Sequence, residues 1–220
     1  VDHRGAESVN ARLRMFGFAA AIAASIAGFV WLQSSEMPEF ATVRARWQSS
    51  EAYLLDRHGA LLDSTRIDYG VRRFDWVPLD AVSTALIDAV IDGEDRRFWN
   101  HHGIDWRAAM GALRDNLTSG GRRGASTITQ QLARNFFLTR EKTVTRKLRE
   151  VLLAWKIEAN LSKDEILQLY VNQIFLGQRA YGFAAAAQIY FGKPLKDLSP
   201  AEAAMLAGLP LAVGITTACD

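Results

Sequence analysis

Cysteine is nearly absent. Cys219 stands alone, so no disulfide can close within the chain and no cysteine-based zinc cluster is on offer. Histidine is scarce too. His101 and His102 sit side by side with no matching ligand set elsewhere, so no metal centre is indicated and His101 reads as structural. Neither sign of charge dominates: 26 basic and 24 acidic residues leave +2, which removes any global case for nucleic acid as a partner. No fixed-period repeat occurs. What is plentiful is apolar side chain. At 49% of 220 residues it excludes disorder and suffices for one good-sized core.

The apolar residues are not spread evenly. Residues 15–32, M-F-G-F-A-A-A-I-A-A-S-I-A-G-F-V-W-L, carry no charge and are long enough to cross a bilayer as a helix. Arg4, Arg12 and Arg14 precede the run and Trp31 lies at its far end, which predicts an uncleaved anchor with the N-terminus inside. A cleaved signal peptide or a buried core helix are the alternatives. The expected organisation is a cytoplasmic N-terminus over 1–14, a transmembrane anchor over 15–32, a membrane-proximal linker over 33–50, a catalytic domain over 51–210 and an atypical tail over 211–220.

Within that domain, residues 53–67 predict two short strands around a turn at Arg57-His58-Gly59, and residues 74–79 predict another extended piece. From there the pattern is helical. Val82, Leu86, Ala89 and Val90 share a face of a helix that ends at Glu94. Asp105 is placed to cap a helix over 106–117, and Gly124-Ala125-Ser126-Thr127 opens another. A long helix over about 143–161 is expected to bury Leu148, Val151 or Leu152, Trp155 and Ala159. Ser162-Lys163-Asp164-Glu165 and Ser199-Pro200-Ala201-Glu202 are capping-box patterns, each opening a further helix, with an alanine-rich helix over 181–191 between them. The fold class is mainly α, with a small β-containing piece near the membrane.

The chemistry-bearing residues fall into three groups. Glu94 and Asp95 are adjacent acids beside Phe98 and Trp99. Mutual repulsion and desolvation both raise a carboxyl group's affinity for its proton, as suits a general base or acid. Alternatively, they are a solvated helix end with local Glu/Arg pairs. The glycine-rich, basic loop 118–123, with Arg122 and Arg123, feeds a helix N-terminus where free N–H groups, Ser126 and Thr127 can meet an anion. Gln130 with Arg134, and Gln131 with Asn135, continue that polar surface one turn on. Lys142, Arg146 and Glu150 are spaced by four on the next helix, with Lys147 and Arg149 near. This is either a basic strip able to hold a pyrophosphate or ordinary Arg146–Glu150 pairing.

Taken together these segments resemble the family 51 glycosyltransferases, the peptidoglycan-polymerising domains of class A penicillin-binding proteins and their monofunctional relatives. Five stretches carry the resemblance in order: E-D-x-x-F-x-x-H-x-G from Glu94, G-A-S-T-I-T-Q-Q-L-A-R-N from Gly124, R-K-L-R-E-V-L-L-A from Arg146, I-L-Q-L-Y-V-N from Ile166, and the stretch over 182–209 with A-A-x-x-Y-F-G-K and L-S-x-x-E-A-A-M-L-A-G-L. L-L-D-R-H-G at 54–59 and Ile104-Asp105-Trp106 lean toward the type 1C proteins. Arginine stands at 134 where many members carry lysine, and Gly93 precedes the first acid. After Pro210 the resemblance stops.

The resemblance implies a lysozyme-like helical domain and polymerisation of lipid II into β-1,4-linked glycan, with release of undecaprenyl pyrophosphate. Glu94 matches the general base and Glu150 the second essential acid. Ser126, Gln130, Gln131, Arg134, Lys142, Arg146 and Lys147 match donor-site contacts, and Asp95, Thr127 and Asn135 complete the substrate-binding set. No cofactor is obligatory, although a divalent cation, Mg2+ or Mn2+, near Glu150 is compatible. The implied partners are lipid II, the nascent glycan strand, the membrane and other cell-wall synthesis proteins. The implied location is the bacterial inner membrane, with the catalytic domain outside the cytoplasm. A glycan-cleaving enzyme of the same fold and a non-catalytic membrane scaffold are the competing readings.

Overall fold

The computed structural model describes position 28 and residues 37–119, 124–138 and 143–210. The anchor run apart from position 28, the loop arginines Arg122 and Arg123, Lys142, Cys219 and the tail over 211–220 lie outside the described residues. Among the described residues no helix is long and apolar enough to cross a membrane. The architecture is that of the unit that starts at Pro38.

Residues 38–50, expected as a linker, are built into this unit. Helix α1 (Phe40–Ala45) leads to Trp47. The Trp76 ring stands edge-on to both Phe40 and Trp47, with centroids 5.9 and 5.2 Å away. The Trp47 indole N–H donates to the Phe74 carbonyl at 2.8 Å. Aromatic edges plus a satisfied indole donor are what a stretch needs to join a core rather than act as a tether.

Strands β1 (Glu51–Leu55) and β2 (Leu61–Arg66) form the expected antiparallel hairpin, with Glu51 opposite Arg66. Asp56 closes its turn by accepting from the His58 and Ala60 N–H groups, both at 2.8 Å. Gly59 has φ 84°, which suits a residue without a Cβ. The extended piece expected over 74–79 makes no strand. The Val77 backbone is held instead by a side chain: Asn172 Oδ1 accepts its N–H at 2.9 Å and Asn172 Nδ2 donates to its carbonyl at 2.8 Å. Those bonds meet the backbone's needs without a ladder.

Helix α2 (Thr84–Glu94) is capped by Ser83, whose hydroxyl accepts from the Leu86 N–H, so Val82 lies before the helix rather than on its face. Leu86 and Val90 are fully buried, and the helix packs on α8 (Pro200–Ala207). Asp105 opens α3 (Trp106–Ser119) by accepting the Ala108 N–H at 2.8 Å. Helix α4 (Ile128–Phe137) is the central one. It touches both α5 (Val144–Asn160) and α6 (Lys163–Gln173). Helix α7 (Phe183–Phe191) follows Gly182 and joins α6 to α8. Both capping boxes form as their sequences predict, Ser162 with Glu165 and Ser199 with Glu202.

One buried face differs from expectation. Helix α5 turns Glu150, Leu153, Ala154 and Ile157 inward, while Leu148 and Trp155 are 61% and 45% exposed. Two apolar stripes fit the 3.6-residue period here. Polarity alone makes the stripe that includes an acid the wet one, whereas Glu150 is neutralised by neighbours and goes inside.

Candidate active site

Glu94 is the last residue of α2, and at Asp95 the chain bends into the core. Asp95, 6% exposed, accepts His101 Nε2 at 2.8 and 2.9 Å and the Ile128 backbone N–H at 3.0 Å. It thus ties the end of α2 to the first turn of α4, where an anion is favoured by free N–H groups and the helix dipole. The Asp95 carboxylate, expected to contact substrate, is engaged in this internal bridge, and the residue also lines the cleft described below. His101 is buried beside it, with Nδ1 left without a partner among the described residues. Arg97 makes a two-pronged pair with Asp105, through Nε at 2.8 Å to Oδ2 and through a second N–H to Oδ1. Gly103, at φ 83°, crosses α5 so closely that a Cβ would come within 3.0 Å of the Ala154 carbonyl.

Asp95 faces inward, and Glu94 faces α4. Its Oε2 accepts Gln131 Nε2–H at 2.7 Å, and the Oε1 oxygen, buried, has no partner among the described residues. Burial raises the Glu94 carboxyl above the ordinary glutamate value. The Gln131 hydrogen bond and the Arg134 charge oppose that shift, and the Asp95 charge adds to it. Behind Gln131 lies Tyr170 of α6, fully buried, whose hydroxyl donates to Gln131 Oε1 at 3.2 Å. Burial pushes that phenol well above its ordinary value, so it stays a donor.

The first turn of α4 is a junction. Thr127 and Gln130 form a capping box, and Thr127 Oγ1 also donates to the Gly103 carbonyl at 2.7 Å. Both residues are buried and their side chains build the helix start, while Thr127 also lines the cleft described below. Ser126, just before the cap, accepts Lys147 Nζ–H at 2.8 Å. Lys147 and Arg146 both pair with Glu150, which is 1% exposed; the Arg146 contact is 2.9 Å. Arg134 and Asn135 lie exposed at the far end of α4. A cleft of about 430 Å³ is lined by Glu94, Arg96, Arg107, Gly124 and Ser126, among others. The first acid and the serine held by Lys147 therefore share one opening.

A divalent cation near Glu150 does not fit this donor set. Both carboxylate oxygens already face cationic N–H donors, and no group of three His, Cys, Asp or Glu side chains gathers among the described residues. Two cations on one buried acid keep net positive charge beside Ser126, as an anionic ligand requires.

Residues 59–216 match the model of the transglycosylase family, most of the chain. The chain belongs to the transglycosylase family. The match extends six residues beyond Pro210, where the resemblance was expected to end. Penicillin-binding protein 1A of Neisseria gonorrhoeae is 57% identical over 145 residues, 66% of this chain and 18% of that protein. A Cupriavidus necator protein named as a candidate transglycosylase is 56% identical over 138 residues, 63% of this chain and 60% of that protein. A crystal structure of penicillin-binding protein 1A from Haemophilus influenzae covers 76% of this chain and 15% of its own, at 26% identity and a TM-score of 0.34. The chain thus spans about a fifth of the length of its penicillin-binding relatives. These relatives carry the 1A designation, not the 1C one toward which 54–59 and 104–106 leaned.

Two contacts escaped the sequence reading, one behind Glu94 and one that ties the helices of the transglycosylase domain together. Tyr170 was visible only as the tyrosine of I-L-Q-L-Y-V-N, with no role attached. Thr129 donates to Glu158 Oε1 at 2.6 Å, and Lys163 reaches the same oxygen at 2.7 Å, a clasp joining α4, α5 and the start of α6. Neither the Tyr170 contact nor the Thr129 arm of the clasp leaves a signal in sequence, because the partners are 39 and 29 residues apart.

Proposed function

We propose that this transglycosylase domain polymerises peptidoglycan. The growing glycan on its polyprenyl pyrophosphate is the donor, and lipid II is the acceptor. Glu94 takes the proton from the acceptor 4-hydroxyl as that oxygen attacks the donor's anomeric carbon. The bond from that carbon to the pyrophosphate breaks, undecaprenyl pyrophosphate departs, and a β-1,4 linkage forms with inversion. Arg146 and Lys147, fixed on Glu150, oppose the charge that builds on the leaving pyrophosphate. The charge-free run over 15–32 would keep the domain at the bilayer, outside the cytoplasm, where such a substrate resides.

The observation that carries this reading is the state of Glu94. It is a half-buried acid with a raised proton affinity, one oxygen held by Gln131 and the other lacking a donor, on a cleft it shares with Ser126. An acceptor hydroxyl can supply the missing donor once bound substrate opens the way to that buried oxygen. The test is incubation of purified protein with fluorescent lipid II in detergent, with products resolved by length. A ladder of glycan chains is expected. Release of soluble muropeptides from purified sacculi, with no ladder from lipid II, would overturn the proposal in favour of a glycan-cleaving enzyme.

A further inference from the structure

We propose that Tyr170 is a positioning residue for Glu94: its hydroxyl fixes the Gln131 amide so that Nε2, and not Oε1, meets Glu94, which leaves Glu94 Oε1 as the oxygen that receives the proton. This rests on the assignment of Glu94 as the base. The chain of contacts is short and buried. Tyr170 donates to Gln131 Oε1 at 3.2 Å, and Gln131 Nε2 donates to Glu94 Oε2 at 2.7 Å. Tyr170 is fully buried and Gln131 is 7% exposed.

A side-chain amide can turn over, exchanging donor for acceptor. With Glu94 ionised, its own charge favours Nε2. Once Glu94 is protonated, an inverted amide could accept the new O–H at Oε1, and the proton would be held on Oε2 by Gln131. Tyr170 opposes that inversion. With the amide inverted, the phenolic oxygen would face N–H, and the phenolic proton would have no acceptor among the described residues. An orphaned donor in a buried site is costly. Tyr170 therefore adds a penalty to proton uptake at Oε2 that uptake at Oε1 does not carry. The charges acting on Glu94 from neighbouring elements are Asp95 beside it and Arg134 on α4, and neither depends on the Tyr170 hydroxyl.

The test compares wild type, Tyr170→Phe, Gln131→Leu and the double variant by lipid II turnover across pH. Tyr170→Phe is expected to lower kcat about three- to tenfold, the worth of one hydrogen bond. The KM for lipid II should be unchanged and the acid limb should move to higher pH, because protonated Glu94 gains a partner. In the Gln131→Leu background, Tyr170→Phe should change kcat less than about twofold, since the relay is already broken. An equal loss in both backgrounds, or an unmoved acid limb, would overturn the proposal. A second readout does not need turnover: the Glu94 carboxyl, followed by 13C NMR in specifically labelled protein, should titrate at higher pH in Tyr170→Phe. If wild type makes no glycan but this titration moves, the base assignment fails and the contact chain stands. If it does not move, the contact chain fails. If Tyr170→Phe does not fold, Tyr170→Met, which also removes the hydroxyl and keeps Gln131, takes its place and must show the same upward move.

Discussion

At the scale of single residues, the site depends on one carboxyl group that the fold makes uncomfortable. Burial raises the proton affinity of Glu94, and a raised folded-state value has a definite sign for stability. Below the ordinary glutamate value the group is protonated in both folded and unfolded chains and contributes nothing. As pH rises through the raised value, the folded state must ionise a half-buried acid, and stability falls relative to a neutral side chain. Glu94→Gln should therefore show a Tm at pH 7 equal to or above wild type, with the gap closing as pH falls below the ordinary value. A Tm well below wild type at pH 7 would show that the carboxylate is structural. On the other wall, Lys147→Met should cut glycan synthesis about 10²-fold, by analogy with loss of one charge-stabilising donor. Its effect on Tm should be small, because Arg146 still pairs with the buried Glu150 and the Lys147 side chain is itself 45% exposed.

At the scale of elements, features written in adjacent residues were legible and those that depend on distant partners were not. Glu94 could be placed at a helix end because Leu86 and Val90 recur at helical spacing before it. The Asp105 cap and both capping boxes were equally visible, since a cap is a local rule written in adjacent residues. Thr127 and Gln130, for which the resemblance implies substrate contact, obey the same rule: their hydroxyl and amide form the box at the start of α4. Thr127→Val should accordingly cost about 1–2 kcal/mol, measured by urea unfolding, because it removes the cap and the donor to the Gly103 carbonyl. The inward face of α5 was not legible. Nothing in L-R-E-V-L-L-A-W says that Glu150 meets two cations and can be buried while Leu148 and Trp155 stay out.

For the molecule as a whole, the class was readable and the ties that hold it were not. A mainly helical chain with one hairpin follows from periodicity and turn residues. The tie between Val77 and Asn172 crosses 95 positions and involves a loop that reads as a strand. Asn172 also backs Gly182, whose φ is 86° and whose Cβ, were there one, would lie 2.4 Å from the Asn172 carbonyl oxygen. Gly182→Ala should therefore destabilise by at least about 2 kcal/mol in a denaturant titration, through strain at a positive φ as well as the clash. Residues 38–50 likewise belong with the rest of the unit, held by Trp47 and Trp76.

The most direct check of the central claim is lipid II turnover by wild type and by Glu94→Gln, side by side, with Tm recorded for both. The account predicts glycan chains from wild type and a loss of about 10²- to 10⁴-fold in the variant, at equal or higher Tm. Glycan synthesis by a folded Glu94→Gln protein at the wild-type rate would contradict it.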